Sequence, residues 1–285
     1  MRKDWNRKEI HDILPLNKRR ILLCVSYNGS GFSGFQKQSN ALSVATCIEE
    51  AIKKITGEIV IISPSGRTDS GVHAIGQYCH FDTSSIIPSE RFAAAINANI
   101  SGQIKVMSST EVSGTFHARF SALAREYRYF LKEYRHCTVF DEGRVWQMKE
   151  LPDISTLNAL SSIIKGETDF RAFAVNEDKN KSTMRDVYVS EFYKDGDTLV
   201  YKIIANAFLY HQIRSLVGTF IKIAQKTTCK DEAVCVLKKI MNGESACIGI
   251  YTAPPWGLYF YNTIYSEDEW KVLSKDIEKG NTIEQ

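Results

Sequence analysis

Residues 20–63 read RILLCVSYNGSGFSGFQKQSNALSVATCIEEAIKKITGEIVIIS, and the order of patterns within them sets the fold class. The apolar-rich RILLCVSY (20–27) reads as a buried strand, and the Gly- and Ser-rich stretch after it as turns. In LSVATCIEEAIKKIT (42–56), Val44, Cys47, Ile48, Ala51, Ile52 and Ile55 recur at helical spacing until Gly57 stops them. EIVIIS (58–63) then reads as a strand, and a further strand is expected near 76–82. SERFAAAINAN (89–99) fits a helix and IKVMSSTEV (104–112) a strand. The order β-α-β-β-α-β is that of the ferredoxin-like unit.

The second half repeats this order. A strand is expected at 125–134, a helix at 153–165, and two strands around the turn Lys194–Asp195–Gly196–Asp197, covering 185–193 and 198–205. Helices at 209–226 and 231–242 and a strand at 257–265 complete it. The expected fold is therefore α+β: two ferredoxin-like (βαββαβ) units with antiparallel sheets and a ligand cleft where they meet. The expected domains are an N-terminal extension (1–19), a first unit (20–115), a second unit (116–265) and an acidic tail (266–285).

The chain of 285 residues is 44% hydrophobic and 24% charged, the balance of a soluble globular protein. No apolar run approaches the ~20 residues a membrane helix needs, and the basic N-terminus lacks the apolar segment of a secretory signal. The net charge of +3 conceals +4 in residues 1–20 and −3 in 266–285. The body therefore carries little net charge, and any nucleic-acid surface has to be local. Both ends read as solvated tails. Seven cysteines, an odd number without CxxC, read as reduced structural thiols and hence as a cytoplasmic protein. Six histidines show no HxH or HExxH spacing, so no metal is expected.

The chemistry concentrates in PSGRTDSGVHAIGQYCHFD (64–82), where Arg67 and Asp69 lie one residue apart between Gly66 and Gly71. A sheltered carboxylate that acts as nucleophile or base at neutral pH needs a cation beside it, because burial alone favours the protonated form. In an extended segment the side chains of Arg67 and Asp69 leave the same face. The flanking glycines permit positive φ and close approach of a ligand. The competing reading has Asp69 bonded to its own turn and Arg67 in solvent. Thr68 makes no independent claim, and His73 reads either as a general acid or as a polar residue on a strand rim.

GRTDSGVHAIGQ (66–77) closely resembles the active-site motif GRTDAGVHA-x-GQ of the TruA-type tRNA pseudouridine synthases. YNGSGFSGFQKQ (27–38) is similar to that family's Y-D-G-x-x-x-x-G-W-Q-x-Q stretch, and INANI (96–100) to its N-A-N/L segment. FHARFSALAREYRY (116–129), ANAFLYHQIRSLVGT (205–219) and APPWGLYF (253–260) resemble three further family segments. The six stand in the family's order within residues 21–265.

The resemblance implies an enzyme that isomerises uridine to pseudouridine at positions 38–40 of the tRNA anticodon stem-loop. Such an enzyme cleaves N1–C1′, turns the uracil and joins C5 to C1′, without cofactor or metal. It implies Asp69 as the catalytic aspartate, attacking C1′ or removing a ribose proton. Among substrate-binding residues it implies Arg214, the arginine that pairs with the aspartate, and Arg67, which fills the space left by the extruded nucleotide. Tyr127 is implied to stack on the uracil and Leu258 to wall the base pocket. Read without the resemblance, Tyr127 is a strand-face residue and Arg214 a surface arginine. The resemblance further implies a homodimer in which one tRNA contacts both subunits. Lys37, Arg119, Arg125 and Arg128 are available for phosphates. Phe35 stands where the family has Trp, and Ser65 and Ser70 where it has Ala.

Two other classes compete. A non-catalytic RNA-binding protein would want a sheet-face aromatic motif, which the sequence lacks. A two-carboxylate glycosidase would want a second acid within the matched motifs, where only Asp69 stands. Nucleotide-dependent enzymes are disfavoured by the absence of a GxxxxGK[ST] loop and of a GxGxxG fingerprint after a strand.

Overall fold

The computed structural model describes residues 14–37, 41–100, 102–174 and 182–271. These form two compact units: residues up to Leu123 together with Phe260–Tyr265, and Ala124–Tyr259 together with the residues from Ser266 onward. The fold class is α+β, as expected.

The first unit runs β1 (Arg19–Tyr27), α1 (Val44–Thr56), β2 (Ser63–Pro64), β3 (His73–Thr83), α2 (Phe92–Asn97) and β4 (Ile104–Val112). Strand β1 lies antiparallel between β3 and β4, in the registers Leu23↔Cys79 and Leu22↔Thr110. The last strand of the chain, β10 (Leu258–Ile264), takes the far side of β3. Helix α1 opens on Ser43, whose hydroxyl accepts the Thr46 N–H at 3.2 Å, and closes on Gly57 at φ 74°. Its face of Val44, Ala45, Ile48, Ala51 and Ile52 is buried, each large side chain contributing about 2 kcal/mol.

One strand is much shorter than its pattern suggests. Of 58–63, only Ser63 joins β2; Ile59 and Ile61 are 82% exposed while Val60 and Ile62 turn inward. The alternation of a strand is there without the ladder, and two carboxylates tie the segment to its surroundings instead. Glu49 accepts the Ile62 N–H at 3.1 Å, and Glu58 accepts Ser84 N–H at 3.0 Å and the Thr83 hydroxyl at 2.5 Å.

The second unit runs β5 (Ala124–Glu133), β6 (Trp146–Met148), α3 (Ile154–Ile163), β7 (Gly166–Asp169), β8 (Met184–Asp195), β9 (Thr198–Ala205), α4 (Gln212–Lys226) and α5 (Lys230–Met241). Its strand order is β5-β9-β8-β7. The β8–β9 hairpin closes at the expected turn, with Gly196 at φ 56°. Two strands were not legible in the sequence. β7 is four residues long, and β6 only three, pairing parallel to β5 with Leu131 opposite Trp146. Both are too short to show an alternation, and β6 departs from the antiparallel rule. On α4, Ile213, Leu216, Val217, Phe220 and Ile221 are buried as the spacing predicts. The terminal tails lie largely outside the described residues, although Trp270 at the start of the second sits edge-on to Tyr188 at 4.5 Å.

Candidate active site

Asp69 lies in the loop between β2 and β3. It is half-buried, between the exposed Arg67 and Ser70, while Thr68 points inward. The segment 27–35 holds this loop in place. Phe35 N–H donates to Thr68 O at 3.3 Å, and Gly71 N–H and the Ser70 hydroxyl both donate to Phe32 O, at 3.4 and 3.2 Å. Val72 N–H closes the turn on Asp69 O at 3.2 Å. Gly34, at φ 90°, lets the two backbones touch: a Cβ there would stand 2.5 Å from Thr68 O. Gly71 has the positive φ expected of it, 78°, whereas Gly66 is not among the described glycines of positive φ.

Inside the loop runs a chain of buried polar side chains. Tyr27 donates its hydroxyl to Gln77 Oε1 at 2.5 Å, and Gln77 Nε2 donates to Gly66 O at 2.5 Å. Since the one phenolic proton is used on Gln77, Thr68 donates its hydroxyl to Tyr27 at 2.7 Å. Thr68, which made no claim in the sequence, is therefore an anchor of the loop. His73 is not a rim residue: it is 2% exposed, and its Nδ1 accepts the Gly29 N–H at 3.1 Å. On the strand side, Ser65 N–H bonds Tyr78 O at 2.8 Å and Thr263 donates to the Ser65 hydroxyl at 3.0 Å.

Arg119, exposed near the same loop, has its guanidinium 5.6 Å from the Phe120 ring. Partial burial, and then the neighbouring charge of Arg67, pull it below the usual arginine range. Lys37 is 70% exposed, 4.0 Å from Glu49. Two other candidate phosphate binders are engaged in internal bonds. Arg125 is buried and donates to Asn206 O at 2.7 Å, and Arg128 pairs with Glu126 at 2.7 Å and reaches the Tyr193 hydroxyl at 3.2 Å.

Tyr127, Arg214 and Leu258 belong to the second unit. Tyr127 sits on β5 opposite Ile203, buried, its ring edge-on to Phe208 at 5.2 Å. Arg214, half-buried in the first turn of α4, exchanges two bonds with one residue: its Nε donates to Ala253 O at 2.9 Å, and Ala253 N–H donates to Arg214 O at 3.0 Å. The segment leading to the buried Leu258 is fixed again by Tyr129, whose hydroxyl donates to Pro254 O at 2.8 Å. Burial holds the Tyr129 phenol well above its ordinary value, and the charge of Arg214 opposes that rise. His211, just before α4, takes φ 59°, a backbone region a non-glycine residue enters at a cost. Its ring stacks on Tyr210 at 3.8 Å. Three separate stretches of sequence thus converge on one patch of the second unit. Among the described residues, no group of three or more His, Cys, Asp or Glu could hold a metal ion.

The tRNA pseudouridine synthase family model matches residues 23–121 and 162–266. The chain belongs to the tRNA pseudouridine synthase family. It is 36% identical over 259 residues to tRNA pseudouridine synthase A of Treponema denticola, covering 88% of this chain and 95% of the relative. It is 34% identical to the protein of that name from Prochlorococcus marinus strain MIT 9515, over 90% of this chain and 95% of the relative. The Caldicellulosiruptor bescii protein of that name is 34% identical over 87% of this chain and its whole own length. Membership in the tRNA pseudouridine synthase family makes the chain an isomerase acting on tRNA. Four of the candidate site residues fall within the matched residues: Arg67 and Asp69 in the first match, Arg214 and Leu258 in the second. Tyr127 lies in the stretch between the two matches.

Proposed function

We propose that the enzyme isomerises uridines at positions 38–40 of the tRNA anticodon stem-loop, with Asp69 as its catalytic carboxylate. A carboxylate at that position starts the reaction, by attack on C1′ or by taking a ribose proton. N1–C1′ breaks, the uracil turns, and C5 joins C1′. The C5 proton is then released, and N1 takes one up, so atoms balance without any oxidant or cofactor. Arg67 fills the gap in the stem left by the extruded nucleotide, a task suited to a planar cation that stacks and binds phosphate together. Tyr127 stacks on the uracil, Leu258 walls the base, and Arg214 supplies the cation that the resemblance assigns to the aspartate.

The observation that carries this reading is the build of the loop at 64–72. It leaves Asp69 half-exposed, with Arg67 two residues away, on a backbone bonded from segment 27–35 and from β3. A reacting acid must be reachable yet unable to wander, and this loop supplies both conditions. The same reading takes each unit as a ferredoxin-like one, and the enzyme as a cytoplasmic homodimer with one tRNA touching both subunits.

Unmodified tRNA carrying tritium at uridine C5 tests it. Wild-type protein is expected to release label to water without added cofactor, and Asp69→Asn to release none above background. Release by the Asn variant at the wild-type rate would end the assignment. Mapping pseudouridine in the product tRNA decides the positions.

A further inference from the structure

The side chains that face away from the substrate side of the catalytic loop form a directed relay: Thr68 hydroxyl to Tyr27, Tyr27 hydroxyl to Gln77, Gln77 amide to Gly66 O. All three are at most 8% exposed. We infer that Tyr27, Gln77 and Thr68 are positioning residues for the reaction, fixing the backbone on either side of Arg67 and so the point in space that the Asp69 carboxylate occupies. The inference rests on Asp69 being the reacting acid.

The geometry leaves little slack. Gln77 has one carbonyl and one amide group, and each is committed to a partner of opposite character, which fixes the orientation of its side chain. Tyr27 receives one hydrogen bond and donates one. The relay enters the loop at Gly66 and at Thr68, and Thr68 O is held besides by Phe35 N–H. The residue between the two anchors is Arg67, and the residue after the second is Asp69. Deleting one hydroxyl leaves a buried polar partner unsatisfied, and the loop gains a way to relieve that cost by moving. A shift of about 1 Å at a reacting group costs on the order of 100-fold in rate.

The separation from the substrate predicts a characteristic kinetic result. None of the three is proposed to touch tRNA, and Arg67 is one of several exposed cations of its unit, so their loss acts chiefly on the reaction step. Tyr27→Phe is expected to lower kcat for tritium release by roughly 10- to 100-fold. KM and the filter-binding Kd for tRNA stay within about twofold, since uniform binding is unchanged. Thr68→Val, which keeps the shape and drops the hydroxyl, is expected to do the same. Thr68→Ser restores the hydroxyl and recovers at least about half of the wild-type rate, where the valine variant recovers none. The serine–valine pair decides the matter if Tyr27→Phe fails to fold.

A folded Tyr27→Phe with kcat within about twofold of wild type would overturn the inference, as would equal rates for Thr68→Ser and Thr68→Val. Equal losses in kcat and tRNA affinity would overturn it too, by showing general damage. These results leave the role of Asp69 standing. Wild-type protein that releases no tritium would remove that role and the inference with it.

Discussion

Gly34 carries much of the geometry of the loop at 64–72 although it has no side chain. Its φ of 90° and the 2.5 Å left between a would-be Cβ and Thr68 O mean that alanine cannot be accommodated without moving backbone. Gly34→Ala is expected to cost about 1–3 kcal/mol in urea unfolding. It is also expected to lower tritium release roughly 100-fold, because segment 27–35 can no longer close on residues 68–71. Stability and activity both unchanged would show that the contact between the two segments is dispensable. The residue scale is also where the sequence is most and least informative. Asp69 and Arg67 stand out through their spacing and motif. Thr68 and Gln77 lie in the same motif, but their role does not show there, because a polar side chain declares a buried role only once its partners are in place.

At the scale of elements, helix ends are legible and strand edges are not. Asp153 illustrates a helix start. Its carboxylate accepts the Thr156 N–H at 2.9 Å and the hydroxyls of Ser155 and Thr156, at the N-terminus of α3. These bonds, the Ser155 hydroxyl first, hold the acid down at about 2. A carboxyl group whose folded value is depressed stabilises the fold above its unfolded value of about 3.9, and that stabilisation is lost as pH falls toward the folded one. Asp153→Ala is therefore expected to cost about 1 kcal/mol at pH 7. The deficit relative to wild type should shrink across the interval from about pH 4 down to about pH 2, read from urea midpoints at each pH. A deficit independent of pH would mean that the ionised cap contributes nothing. The edge at 58–62 shows the other case: its alternation is that of a strand, but the Ile62 N–H goes to the Glu49 carboxylate and not to a neighbouring strand.

For the molecule as a whole, charge is the property the linear sequence describes least well. A net +3 says nothing of where cations are usable. The fold consumes Arg125 and Arg128 in internal bonds and leaves Arg67, Arg119 and Lys37 exposed on the first unit. Binding of tRNA is accordingly expected to weaken with salt, log K falling by about 0.7–0.9 per phosphate contact in log salt. Arg119→Gln is expected to flatten that slope by about 1 with little effect on kcat, and Arg128→Gln to leave the slope alone. Filter binding between 50 and 200 mM salt, roughly the span over which such contacts act, measures both. An unchanged slope for Arg119→Gln would remove it from the tRNA surface.

The sequence by itself determined the longer helices and strands, the helix faces, the family and the candidate residues of the loop at 64–72, because those are carried by local periodicity and by short motifs. The partnerships were decided only by tertiary structure. Tyr27 meets Gln77 across 50 residues, and Arg125 meets Asn206 across 81. A hydrogen bond between groups so far apart in the chain leaves no local pattern. Whether a given arginine serves the substrate or the core depends on such bonds alone.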